Sequence, residues 1–230
     1  QATTELVEYN APHPSDRLIN VHLDGAPPFG LRGDPAFGEV ARLPAILDMV
    51  CQVLGQDVIL WSTHLFCKPA STGREVPLHQ DGHYWPIRPL ATCSVWLAID
   101  AVDEQNGALR YLPGSHQNGA YLHYEDNSPA LALNQAVEPE QYDDADLRHT
   151  ILPSGAVSLH DVHLVHGSAA NTSGRRRAGL AMRYMPADTH FRRDLVRKES
   201  SIPWANMPLV LVRGRNRHPG NDLEVGHPEV

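Results

Sequence analysis

The decapeptide PLHQDGHYWP, Pro77 to Pro86, sets His79 and Asp81 two residues apart and adds a further imidazole at His83. How it is read decides what the rest of the chain must be. If extended, it sends His79 and Asp81 to one face, because successive residues of a strand alternate sides. If looped, it leaves three polar groups on a surface. The flanking sequence favours the extended reading. From Val58 to about Met185 the chain runs as short apolar segments broken by turn residues: VILWSTHLF, TCSVWLAI, ALRYLP, HTILP, AVSLH and RAGLAMRYM. Asn106-Gly107 is a strong hairpin signal between two of them. Six to eight such strands predict a mainly β protein, a double-stranded β-helix of the jelly-roll, cupin-like kind, with one or two flanking N-terminal helices.

Upstream, LPAILDMVCQVLG spaces Ile46, Leu47, Val50, Val53 and Leu54 as the core face of a helix that starts near Pro44 and stops at Gly55. The first 38 residues are rich in Pro, Gly and Asp and read as irregular, apart from the strand-like RLINVHL of Arg17 to Leu23. A chain of 230 residues, 42% of them hydrophobic, suffices for one sizeable core. The expectation is a single domain over 1–230 with its core at about 56–186. Between Gln117 and Asp146 there are seven carboxylates and no Lys or Arg, which makes 117–147 a candidate lid loop. The tail LVRGRNRHPGNDLE, with Arg213, Arg215 and Arg217, reads as a solvated face without a regular element.

Twenty-seven acidic against 19 basic side chains give a net charge of −8, which disfavours nucleic acid and anionic membrane surfaces as partners. Cys51, Cys67 and Cys93 show no disulfide or CxxC spacing and read as free thiols of a cytoplasmic protein. No apolar run approaches the roughly 20 residues that span a bilayer, and no signal-peptide pattern opens the chain.

An H-x-D pair alone says little. A second constellation, HLVHGSAANTSGRRRAGL, adds His166, then Ser168, then Arg177 at the start of a strand. Two imidazoles and one carboxylate are the ligand set that leaves open positions on non-haem Fe(II). An arginine aimed at a core of Leu and Ala is costly unless it meets an anion. A dicarboxylate supplies one: the guanidinium takes the far carboxylate through two parallel hydrogen bonds, a hydroxyl such as that of Ser168 adds a third, and the 2-oxo acid end chelates the metal. His160 and His163 compete with His166, but only His166 has a Ser two residues on and an Arg eleven residues on. His83, Tyr84 and Trp85 either line a substrate cavity or simply pack; His116 reads as structural. Arg175 and Arg176 read as surface turn residues, and Arg183 as either a solvated charge or a second anion contact.

Three segments, LFCKPASTGREVPLHQDGHYWPIRP, NGALRYLPGSH and HGSAANTSGRRR, match in order and spacing those of the phytanoyl-CoA dioxygenase family of Fe(II)/2-oxoglutarate oxygenases, which the chain resembles from about Arg17 to Pro186. The resemblance implies His79, Asp81 and His166 as ligands of Fe(II). It implies Arg177 and Ser168 on the far carboxylate of 2-oxoglutarate, Trp96 and His64 lining that pocket, and Gln80 contacting it from between the ligands. With O2 it implies oxidative decarboxylation to succinate and CO2, coupled to hydroxylation of a small molecule. Related halogenases have Gly or Ala where this chain has Asp81, so hydroxylation is the expected outcome. The family's usual N-terminal helix and strand are not expected here. Two other classes remain open: a zinc-dependent hydrolase or cupin-type enzyme with a metal-bound water, and a catalytically silent jelly-roll binding module. The acidic stretch favours an amine- or quaternary-ammonium-bearing substrate; the alternative is that it only keeps a loop solvated.

Overall fold

The computed structural model describes residues 1–16, 18–195 and 202–227. Ten strands make the two principal sheets: β1 (Leu18–Ile19), β2 (Val58–Lys68), β3 (Val76–His79), β4 (Cys93–Ala98), β5 (Leu109–Tyr111), β6 (Arg148–Thr150), β7 (Val157–Asp161), β8 (His166–Ser168), β9 (Arg177–Pro186) and β10 (Val210–Arg213). The larger sheet runs β1-β2-β9-β4-β7, with β10 also paired to β2; the smaller runs β3-β8-β5-β6. All these pairings are antiparallel, and together they form the expected jelly roll.

Alternation along β9 explains how the larger sheet is buried on both sides. Leu180, Met182 and Tyr184 face a layer that contains Leu6, Phe37, Ile46, Leu47 and Val50 from the helices. Each fully buried aliphatic side chain there contributes about 1.5–3 kcal/mol, so the helices and the sheet hold each other in place. The opposite face of β9 carries Arg177, Gly179, Ala181 and Arg183 into the barrel. A bulge lies between Arg183 and Tyr184: they pair with Ser62 and Leu60, which leaves Trp61 as the extra residue on β2. As a result Trp61 and Ser62, though adjacent in sequence, both line the same cavity.

Several expectations are corrected here. Three α-helices rather than one or two flank the sheet among the described residues: α1 (Ala2–Tyr9), α2 (Pro35–Ala41) and α3 (Pro44–Leu54). The first two begin in the segment read as irregular, and β1 lies in the strand-like RLINVHL. In α2 the Asp34-Pro35 pair is a helix start, with the Asp34 carboxylate accepting from the Ala36 N–H at 2.9 Å. In α3, Val53 is 64% exposed and Cys51 takes the buried place. Val53 lies about a quarter turn from the centre of the stripe formed by Ile46, Leu47, Val50 and Cys51.

Asn106-Gly107 makes a turn, with Gly107 at φ +84°, but it connects β4 of one sheet to β5 of the other and is no hairpin. The Asn106 side chain locks the crossover by accepting from the Asp103 N–H and donating to Ala101 O, both at 2.9 Å. The tail is partly regular, because Val210–Arg213 adds to β2. Arg213 and Arg217 pair with Asp48 and Asp57 at 2.8 and 2.6 Å. The stretch 117–147 contains a ribbon of His123–Glu125 paired with Gln135–Val137. The three cysteines are free and buried. No helix among the described residues is long and apolar enough to cross a membrane.

Candidate functional site

His79 and His166 lie 87 positions apart in sequence, yet the antiparallel pairing of β3 with β8 makes them direct cross-strand partners. Gly167 lets the strands close: a Cβ there would sit 2.7 Å from Val76 O and 2.9 Å from Pro77 O. In each histidine Nδ1 lies 2.9 Å from a backbone carbonyl two residues upstream, Pro77 O for His79 and Leu164 O for His166. A carbonyl only accepts, so Nδ1 carries the proton and Nε2 presents its lone pair to the site. β3 ends at His79, and Gln80 continues the extended backbone at φ −113°, ψ 128°. Asp81 then opens a short 3-10 turn, Asp81–His83, and is not itself a strand residue.

The three side chains converge. Asp81 Oδ1 lies 3.6 Å from His79 Nε2, and Oδ2 lies 4.0 Å from His166 Nε2. One donor atom from each falls within 4.8 Å of the others, and all three residues are buried. Burial pushes the Asp81 carboxyl upward, but the imidazoles of His160 and His79 and the charge of Arg183 outweigh it and hold the group well below the usual carboxylate range. Burial, reinforced by His79 and His160, holds His166 well below the usual imidazole range. Asp81 Oδ2 is buried and has no hydrogen-bond partner. A lone-pair-bearing His166, a similarly oriented His79 and an orphaned carboxylate oxygen fit a divalent cation. His160 Nε2 comes within 3.7 Å of Asp81 Oδ2, although it lies outside the converging set. His163 lies outside the converging set and accepts from the Gln80 amide at its backbone carbonyl.

A cavity of about 440 Å³, its open mouth included, adjoins the triad, lined in part by Phe66, Trp96, Ser168 and Arg177. Arg177 is 2% exposed, donates to Ser168 Oγ at 3.3 Å and lies 5.5 Å from the centre of the Trp96 ring. Its Nε has no partner, and burial lowers its pKa to about 10, so it remains a cation near neutrality. Gly179 makes room for Trp96: a Cβ there would lie 2.0 Å from the indole. Lys68, which sequence reading missed, is the cross-strand partner of Arg177 and donates to the backbone oxygens of Ser168 and Ala169. Burial lowers its pKa to about 6. The only signal for it was a lysine closing a strand that is buried along nearly its whole length.

A larger cavity, about 850 Å³ with its mouth included, shares Phe66, His79, Asp81 and Arg183 with the first. Trp61, Tyr84, Trp85 and Trp204 form much of its wall. His64 lines this cavity and not the one at Arg177, stacked on Phe66 at 3.7 Å with Nε2 2.9 Å from Asp16 O. Tyr84 and Trp85 reach it as well, whereas His83 stacks on His123. Arg175 and Arg176 form ion pairs with Asp103 and Asp100.

Gln80 also departs from expectation. Its amide donates to Gly119 O and His163 O and accepts from the Tyr121 N–H, while its own N–H donates to His123 Nε2. The side chain ties down the base of the 117–147 segment and does not line the cavity at Arg177. Gln80→Leu is therefore expected to leave three backbone groups unpaired, at about 1–3 kcal/mol each where they remain dry. Amide hydrogen exchange at 119–123 should rise at least ten-fold while metal affinity changes little. Unchanged exchange would remove this anchoring role.

Residues 5–179 match the sequence profile of the family described as phytanoyl-CoA dioxygenase (PhyH). A probable alpha-ketoglutarate-dependent hypophosphite dioxygenase of Stutzerimonas stutzeri is 32% identical over 155 residues, 66% of this chain and 54% of that one. The peroxisomal phytanoyl-CoA dioxygenase of Homo sapiens is 28% identical over 184 residues, 77% of this chain and 52% of that one. The chain thus spans about half the length of these curated relatives. Among solved structures, the non-heme monooxygenase ThoJ in its apo form superposes with a TM-score of 0.72 at 25% identity, over 94% of this chain and 74% of that one. With the profile covering most of the chain, and with the converging His79, Asp81 and His166, the chain belongs to the phytanoyl-CoA dioxygenase (PhyH) family.

Proposed function

We propose that the chain is a single-domain Fe(II)/2-oxoglutarate-dependent dioxygenase that hydroxylates a small molecule. One observation carries the reading: an orphaned Asp81 oxygen between two imidazoles lies beside a cavity that holds the buried, charge-unpaired Arg177 with Ser168. His79, Asp81 and His166 hold the iron, which supplies the activation of O2. Arg177 and Ser168 hold the far carboxylate of 2-oxoglutarate, and Trp96 closes that pocket as an apolar wall. One oxygen atom enters succinate as CO2 leaves, and the other becomes the product hydroxyl. The protein's part is positional: the shared wall of Phe66, His79 and Asp81 sets the substrate cavity against the co-substrate cavity, and Leu133 and Asn134 of the 117–147 segment line the larger one.

The test is succinate release from 2-oxoglutarate with added Fe(II) and O2, with and without a metabolite extract. Succinate formed in proportion to O2 consumed supports the proposal. A zinc-dependent hydrolase would leave 2-oxoglutarate intact and would have no use for Arg177. Absence of turnover in protein that binds Fe(II) would overturn the proposal.

A further inference from the structure

The larger cavity contains a second arginine that the chemistry above does not use. Arg183 sits on the same inward face of β9 as Arg177, six residues on, and borders both cavities. Its guanidinium carbon lies 5.1 and 6.0 Å from the ring centres of Trp85 and Trp61. Its Nε is buried with no hydrogen-bond partner, and among the described residues it enters no ion pair. On either side its cross-strand partners are small, Ser62 and Ser94, and Ser94 Oγ also lacks a partner. The bulge beyond Arg183 is the kind of irregularity that re-aims a side chain beside a site.

Charge balance points the same way. With a divalent ion in the triad, the ion, Arg177 and Arg183 against Asp81 leave a buried excess of about three positive charges. A dicarboxylate co-substrate removes two and leaves one. An isolated buried charge is costly, and among the described residues no ion pair cancels this one. The seven acidic side chains of 117–147, which suggested a cationic substrate, do not line the cavity; the segment contributes Leu133 and Asn134. Five of the seven are exposed and two half-buried, so their field is largely screened beyond about 8 Å at physiological salt.

We propose that the primary substrate is an apolar molecule with one anionic head, a carboxylate or similar oxyanion, and that Arg183 seats that head while Trp61, Trp85 and Trp204 enclose its body. The proposal rests on the oxygenase reading for the word substrate, but the binding it asserts is independent of turnover. A guanidinium takes a carboxylate through two parallel hydrogen bonds, and the indole faces keep its plane fixed while they exclude water.

The probes are 4-phenylbutyrate, 4-phenylbutanamide and 4-phenylbutylamine, titrated against metal-free protein and followed by tryptophan fluorescence. The carboxylate is expected to bind at least ten-fold more tightly than the amide, and the amine more weakly than either. Arg183→Met should reduce the carboxylate to the level of the amide, and Arg183→Lys should keep part of the preference. Arg177→Met should keep it in full, which separates this site from the co-substrate pocket; circular dichroism checks that each variant is folded. Equal binding of the three probes, a preference that survives Arg183→Met, or one lost only in Arg177→Met overturns the proposal. Succinate release, measured separately on the unmodified protein, judges the oxygenase reading, so either result can fail without the other.

Discussion

His166→Ala is expected to lose metal binding and turnover together while the protein stays folded. In the unmodified protein Nε2 is the free lone pair of a neutral imidazole, because Nδ1 donates to Leu164 O. Alanine removes one of three donors converging within 4.8 Å, and the remaining pair spans too few positions to hold the ion in a defined orientation. The structural loss is smaller, because one side chain to backbone hydrogen bond is worth about 0.5–1.5 kcal/mol and β8 keeps its ladder to β3 and β5. Calorimetric titration with Fe(II) under argon, beside thermal melts of the metal-free proteins, separates the two quantities. Metal affinity within three-fold of the unmodified protein would remove His166 from the triad. His79→Ala should behave alike, since its Nδ1 is held by Pro77 O in the same way.

Arg177→Met should raise the 2-oxoglutarate requirement by at least about 30-fold with far less effect on metal affinity. Truncating one partner of a buried, hydrogen-bonded charge pair costs about 2–5 kcal/mol, and 2 kcal/mol corresponds to roughly 30-fold. Methionine keeps much of the volume beside Trp96, so the cavity wall survives and the loss reports the guanidinium. It also removes a largely unpaired buried cation, so the co-substrate-free protein should be no less stable than the unmodified one. The apparent constant for 2-oxoglutarate, read from succinate formation over a concentration series, is the measurement. An unchanged constant would place the far carboxylate elsewhere.

Gln80 and Val53 show where local pattern stops being informative. Between two expected ligands, Gln80 read as a co-substrate contact, but β3 ends at His79 and the chain turns from Asp81 onward, so its amide meets the backbone at Gly119, Tyr121 and His163. Val53 had the spacing of a core residue and the position of a surface one. The Asn106-Gly107 signal reported a backbone conformation correctly and the partner strand incorrectly, because a turn dipeptide specifies φ and ψ but not which sheet receives the chain next.

The strand-rich architecture and helix α3 are legible in the chain, since their periods are local properties. The sequence also singled out His79, Asp81, His166, Ser168 and Arg177, through short spacings and an arginine in an apolar strand. Which cavity each polar side chain serves depends on how the sheets come together, and the folded chain assigns it. The fold moved His64 to the larger chamber, withdrew Gln80 from the cavity at Arg177, brought Lys68 beside Ser168 and left Arg183 near two indoles with its Nε unpartnered. The physical reason is that alternation fixes the face on which a side chain emerges, whereas its partner is fixed by long-range register, and a single bulge at Trp61 re-aims the side chains beyond it.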